Sequence, residues 1–168
     1  MDLLLEMLED PVHRHVLLNH LPIVGLGMTW VFLAWSLVDR RWPSMRFALL
    51  LVTVLSASTL LVTSAGDAAY PVIFEELDGP GQEWLDYHTY LGDRWGWVIA
   101  ANGLLALLAI AAGHFREPLR RSVAAGVLVT TLVALVLAAI VAEAGGKIRH
   151  PEFRRGPPPE YESPGRLR

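Results

Sequence analysis

The sequence predicts an all-α fold: an integral membrane four-helix up-and-down bundle with both termini on the non-cytoplasmic side. Three observations predict it. Apolar residue types make up 53% of the 168 residues, charged types 18%, and mean hydropathy is +0.38, whereas about a quarter of an ordinary soluble domain is charged. Four apolar runs, at residues 21–38, 47–65, 95–113 and 123–142, contain no Lys, Arg, Asp, Glu or His. Each is roughly the 20 residues that a helix needs to cross a hydrocarbon core, and four of them in so short a chain exceed what a soluble shell can cover.

The third observation is the placement of charge. Residues 39–46 and 114–121, which link the first and second runs and the third and fourth, hold six arginines against two acids. Residues 66–94 hold seven acids against Arg94 alone. Basic loops stay in the cytoplasm, so the acidic loop and both termini are expected outside, in a multi-pass protein of the cell membrane. The basic residues of the tail, Lys147, Arg149, Arg154, Arg155, Arg166 and Arg168, pull mildly the other way.

The elements follow in order. Residues 1–11 carry Leu3, Leu4, Leu5, Met7 and Leu8 among acids, which suits a short amphipathic helix on the membrane surface or a frayed terminus. The acidic start is unlike a removable signal peptide. Residues 12–149 form the four-helix transmembrane domain. Residues 150–168, with the Pro157-Pro158-Pro159 run, cannot bury a core and are expected to be a disordered extension or docking segment. No internal repeat is evident from residue types alone.

Several chemistries are excluded. With no cysteine there are no disulfides, iron–sulfur clusters, thiolate zinc sites or c-type haem attachments. A net charge of −3 and a pI near 6.0 give no reason to expect nucleic acid. No Gly-x-Ser-x-Gly elbow, His-Glu-x-x-His pair or phosphate-binding glycine loop is present, and Glu75-Glu76 point apart on a helix. The bilayer is the partner that composition implies, with a redox protein or membrane complex as a candidate second partner.

The candidate site lies at the outer ends of the helices. His13, His15 and His20 precede the first run, His88 precedes the third and His150 follows the fourth. In an up-and-down bundle the first and third helices start on the same side, so their histidines can meet. His13 and His20 share a helix face if the helix begins near Pro11, and His15 shares a neighbouring face with Asn19. Gly92, Gly96 and Gly103 follow His88 on roughly one face, which suits close helix packing or a flat cofactor edge. Asp67 and Glu143 end the second and fourth runs and can ligate a metal, orient an imidazole or remain solvated.

The segment His15-Val16-Leu17-Leu18-Asn19-His20-Leu21-Pro22 resembles the HPxxVHFP signature of the membrane family called domain of unknown function 2231. The likeness continues in Ser64-Ala65-Gly66-Asp67, in His88 and in Gly145-Gly146, and spans residues 12–149. Val16 stands where that signature has proline, and Asn19-His20-Leu21 where it has Val-His-Phe. The resemblance implies a membrane domain and draws attention to His15, His20, Asp67 and His88 without naming a reaction.

Two functions remain open on the sequence. One is electron transfer through a bound centre at the outer face: a haem b between His20 and His88, or a transition metal held by His15, His20, Asp67 and His88, with His13, Asn19, Glu143 and His150 in support. Depth weighs on the haem pair. His20 lies one residue before its run and His88 seven before its own, a difference of about 10 Å along a helix. The other function is a non-enzymatic membrane subunit without cofactor. Solute transport fits less well, because the runs hold no ionisable residue.

Overall fold

The computed structural model describes residues 9–161, so the segment 1–8 and the end of the tail at 162–168 lie outside the described residues. Four helical rods form one bundle, and each is long and apolar enough to cross a membrane: Pro11–Asp39, Trp42–Glu76, Gly79–Phe115 and Glu117–Arg149.

The first rod is composite. Helix α1, Pro11–His20, starts on Asp10, whose carboxylate accepts from the Val12 amide at 2.9 Å, with Pro11 in the first turn. A π turn over Leu21–Gly25 follows, with Pro22 inside it, and helix α2, Leu26–Asp39, completes the rod. Proline lacks the amide that the preceding turn needs, so the ladder widens there rather than continuing. The rod ends at Arg40 in the left-handed region, φ 60°.

The second rod is α3, Trp42–Ala57, and α4, Thr59–Glu76, with a break at Ser58. The third is the single helix α5, Gly79–Phe115, capped by Asp78 on the Gly81 amide at 2.9 Å. The fourth is α6, Arg120–Arg149. The acidic stretch at 66–94, read from the sequence as a long loop, is helical on both sides of Leu77 and Asp78. Helices continue past the apolar runs because charged side chains end a membrane span without breaking a helix.

The lower core packs Leu26, Leu33, Met45, Leu49, Val52 and Ile99 against small residues such as Ala48, Ala106, Ala124 and Ala134. Small residues let the backbones approach, the usual basis of helix association in a bilayer. The Trp30 indole donates to the Leu128 carbonyl at 3.0 Å and ties α2 to α6. At mid-depth, Asn102 donates to Ser56 (3.2 Å) and Thr131 (3.1 Å) and accepts from Thr130 (2.7 Å). A second cluster around Trp84, Leu85, Leu91, Ala144 and Ile148 closes the other end. There the tail runs back over the bundle. Arg154 donates to the Lys147 carbonyl at 2.7 Å and to Asp78 at 3.0 Å, joining the end of α6 to the start of α5. Tyr161 lies against Tyr87 and Tyr90, with centroids 5.2 and 4.9 Å away.

Candidate functional site

Between the two clusters all four rods line a cavity of about 510 Å³. Two imidazoles enter it from opposite sides. His15, on α1, donates from Nδ1 to the Val62 carbonyl of α4 at 3.0 Å. His88, on α5, donates from Nδ1 to the Val141 carbonyl of α6 at 2.9 Å. A carbonyl only accepts, so each bond assigns the proton to Nδ1 and leaves the Nε2 lone pair of the neutral ring available. The ring centroids are 6.2 Å apart and the planes stand at 85°.

A glycine seats each ring. A Cβ added to Gly66 would lie 3.0 Å from His15 Cε1 and Nδ1, and one added to Gly145 would lie 3.0 Å from His88 Cε1. Each glycine sits four residues after the carbonyl that holds the same imidazole, so one turn of α4 or α6 supplies both acceptor and seat.

The two halves of the site repeat. Val62-Thr63-Ser64-Ala65-Gly66 and Val141-Ala142-Glu143-Ala144-Gly145 share the pattern Val-x-x-Ala-Gly. The offset that carries His15 onto His88 also carries the buried Leu26, Thr29, Leu33 and Ser36 onto the buried Ile99, Asn102, Ala106 and Ala109. The offset that carries Val62 onto Val141 carries Met45, Ala48, Val52, Thr59, Ala65 and Ala69 onto Ala124, Val127, Thr131, Ala138, Ala144 and Ile148, all of them buried. The two hairpins thus bury matched positions, at two different offsets. Each gives one histidine from its first helix and one carbonyl and glycine from its second.

The other expected site residues are placed differently. His20 is exposed, and its Nδ1 donates to Val16 O of its own helix at 2.8 Å. It does not meet His88, and His15 takes that place. This removes the depth mismatch, since His15 lies six residues before its apolar run and His88 seven before its own. His13 is exposed and bonded to Asp10. Asn19 and Asp67 line the cavity, and His150 stands at its rim with Arg149. His150 donates to Glu152 at 2.9 Å, and Arg149 pairs with Glu76 at 2.7 Å. Glu143 is turned outward onto Lys147 at 2.5 Å. Among the described residues, no group of three or more His, Asp or Glu side chains is gathered as a metal ion would need.

Sequence reasoning passed over the acceptors Val62 and Val141 and the seating role of Gly66 and Gly145. The repeated Val-x-x-Ala-Gly and the matched depths of His15 and His88 are the signals that point to them. Compared with known proteins, the chain matches no family model, no curated protein and no solved structure.

Proposed function

We propose that this chain is a membrane electron-transfer protein that holds one b-type haem between His15 and His88 at the non-cytoplasmic end of the bundle. The observation that carries the reading is the pair of matched half-sites: two imidazoles on different hairpins, each fixed through Nδ1 and each backed by a glycine. Fixing the far nitrogen of a ligating imidazole orients the ring and raises its basicity. The ring centroids are 6.2 Å apart, close enough for one occupant of the cavity to meet both imidazoles.

The donor set favours haem over a bare ion. A haem would need only the two imidazoles from the protein, whereas an isolated copper, zinc or iron would need further side chains, and among the described residues no third His, Asp or Glu is gathered with them. The cavity walls suit a flat apolar body: Ile23, Ile99, Ala138 and Val141 line one end, and Arg149 and His150 offer donors for carboxylates at the rim. Haem supplies reversible one-electron chemistry. The chain would supply the imidazole nitrogens of His15 and His88, a fixed ring geometry and a largely apolar surround, which would set the potential.

The test is the absorption spectrum of detergent-purified protein, air-oxidised and dithionite-reduced, with iron analysis on the same sample. The reading expects a Soret band that sharpens on reduction and iron near one per chain. His15→Ala and His88→Ala should each lose it, and His20→Ala should keep it. A clear spectrum after expression with ample haem would overturn the reading and leave the cofactor-free membrane subunit.

A further inference from the structure

The hairpin repeat predicts two equivalent side walls around the cavity, and only one is closed. On the closed side α4 packs against α5. Thr63 lies so near Gly96 that a Cβ there would come within 2.9 Å of its methyl. Gln82 donates to the Phe74 carbonyl at 2.9 Å, and the Tyr70 hydroxyl donates to Asp86.

The equivalent wall lies between α6 and α1, and among the described residues it has no packed interface. Helix α1 packs along α4, while the packing of the first rod on α6 comes chiefly from the π turn and from α2 below it. Ala142 stands where Thr63 stands on the other side, and Ile23 where Gly96 stands. Both line the cavity. The counterparts of Tyr70 and Asp86 are Arg149 and His13, which pair instead with Glu76 and Asp10. Val16, on the α1 edge of the gap, lines the cavity and is 52% exposed.

We infer that this gap is a lateral doorway. The cavity takes its ligand sideways from the membrane leaflet, between α1 and α6, with α1 swinging on the π turn. The ligand class is a flat amphiphile with an apolar body and terminal carboxylates, which rests on the haem reading above. Three features support a bilayer route. The gap begins beside the apolar run at Ile23 and Ala138, so its lower edge faces hydrocarbon. The small Ala142 and Gly146 of α6 line the cavity and leave room beside it. The π turn joins α1 to the rod at a point where the regular helical ladder is already interrupted.

The chain has no cysteine, so single introduced thiols report cleanly. Bimane on Ala142→Cys, in liposomes containing brominated phosphatidylcholine, is expected to be quenched several-fold more than bimane on Thr63→Cys, its counterpart on the closed side. Equal shielding at both positions, as would follow if residues 1–8 or a second chain covered the gap, would overturn the doorway. This measurement does not depend on haem, so a failed haem titration and a failed doorway are separate results. A second variant tests passage. With Val16→Cys and Ala142→Cys joined by a short bis-maleimide, haem uptake by apoprotein should slow by at least an order of magnitude. The same tether added after loading should slow haem transfer to apomyoglobin to a similar degree. Unchanged rates with the cross-link verified by mass would refute entry by this route.

Discussion

Adding one methyl group at Gly145 tests the site directly. A Cβ there would stand 3.0 Å from His88 Cε1 and 3.1 Å from Nδ1, whereas unstrained carbon contacts lie at about 3.5–4.0 Å. The ring must therefore retreat by roughly 0.5 Å, and its 2.9 Å bond to the Val141 carbonyl moves with it. Overpacking of this kind costs about 1–3 kcal/mol. Ala also favours a helix over Gly by up to about 1 kcal/mol, which would mask part of the loss. Gly126→Ala is the internal control: it carries the same propensity gain on the same helix, away from the cavity, and its Cβ would meet nothing within 4 Å. The difference between the two variants isolates the ring contact and corresponds to roughly a 5- to 150-fold weaker haem Kd for Gly145→Ala. Gly66→Ala should match Gly145→Ala through His15, and Gly27→Ala should match Gly126→Ala, since its Cβ is also free of contacts. The assay is haem titration of apoprotein followed at the Soret band. If Gly145→Ala and Gly126→Ala titrate alike, the glycine does not seat the ring, and the half-site argument fails.

Three further outcomes are expected. Asn102→Ala removes the common partner of Ser56, Thr130 and Thr131. It should lower stability by about 1–2 kcal/mol, seen as a lower Tm in detergent with the Soret maximum unmoved. Gly113→Ala places a methyl group inside the Trp42 ring, and Arg120 stacks on that ring at 5.1 Å. It should cost about 1–3 kcal/mol in chemical denaturation, far from the histidines and without effect on them. Asp78 is held below the usual carboxylate value of 3.8, first by its hydrogen bonds from Arg154. A carboxyl depressed in this way stabilises the fold above its ordinary value and loses that contribution as pH falls through the lowered one. Hydrogen exchange in residues 150–161 should therefore rise only in strong acid, while Arg154→Ala and Asp78→Asn should raise it at neutral pH and flatten the acid dependence.

The four rods were legible because a hydrocarbon core would impose a minimum apolar length that few soluble segments meet, and the four runs at 21–38, 47–65, 95–113 and 123–142 all lie inside helical rods long and apolar enough to cross a membrane. The pairing across the cavity was harder to read. His13, His15 and His20 all precede the same run, and choosing among them by helical phase requires the path of the chain around Pro22. The depths of His15 and His88 were in the sequence and match without any knowledge of phase. The repeat was hidden for a different reason. The stretch from the buried Ala109 to the buried Ala124 is six residues longer than that from Ser36 to Met45, so the first and second helices of the two hairpins repeat at different offsets. Comparing the chain with itself at a single offset aligns one helix of each pair and misaligns the other. Identity beyond Val-x-x-Ala-Gly is low, because burial at a bundle position asks for small or apolar side chains rather than for one residue.

The small residues facing the bundle axis had two readings, close helix packing or room for a flat ligand, and the structure divides them by depth. At Gly103 a Cβ would lie 2.8 Å from the Thr53 carbonyl, and at Gly96 it would lie 2.9 Å from the Thr63 methyl. These glycines let α5 close on the second rod, and a larger residue would push helices apart. Gly66 and Gly145 face imidazoles instead. A larger residue there would move a ring while leaving the helix interface in place. Packing alone gives no reason for the same glycine, four residues after the same carbonyl, to back a histidine in both hairpins. A shared occupant of the two rings does, because it needs both nitrogens held at a fixed separation. The hairpins are most alike where they hold the histidines and least alike at the α1–α6 wall, so the clamp is built from both halves while the side closure differs between them. Substitutions that close the gap while sparing the rings should therefore change how fast a ligand enters more than how tightly it is held.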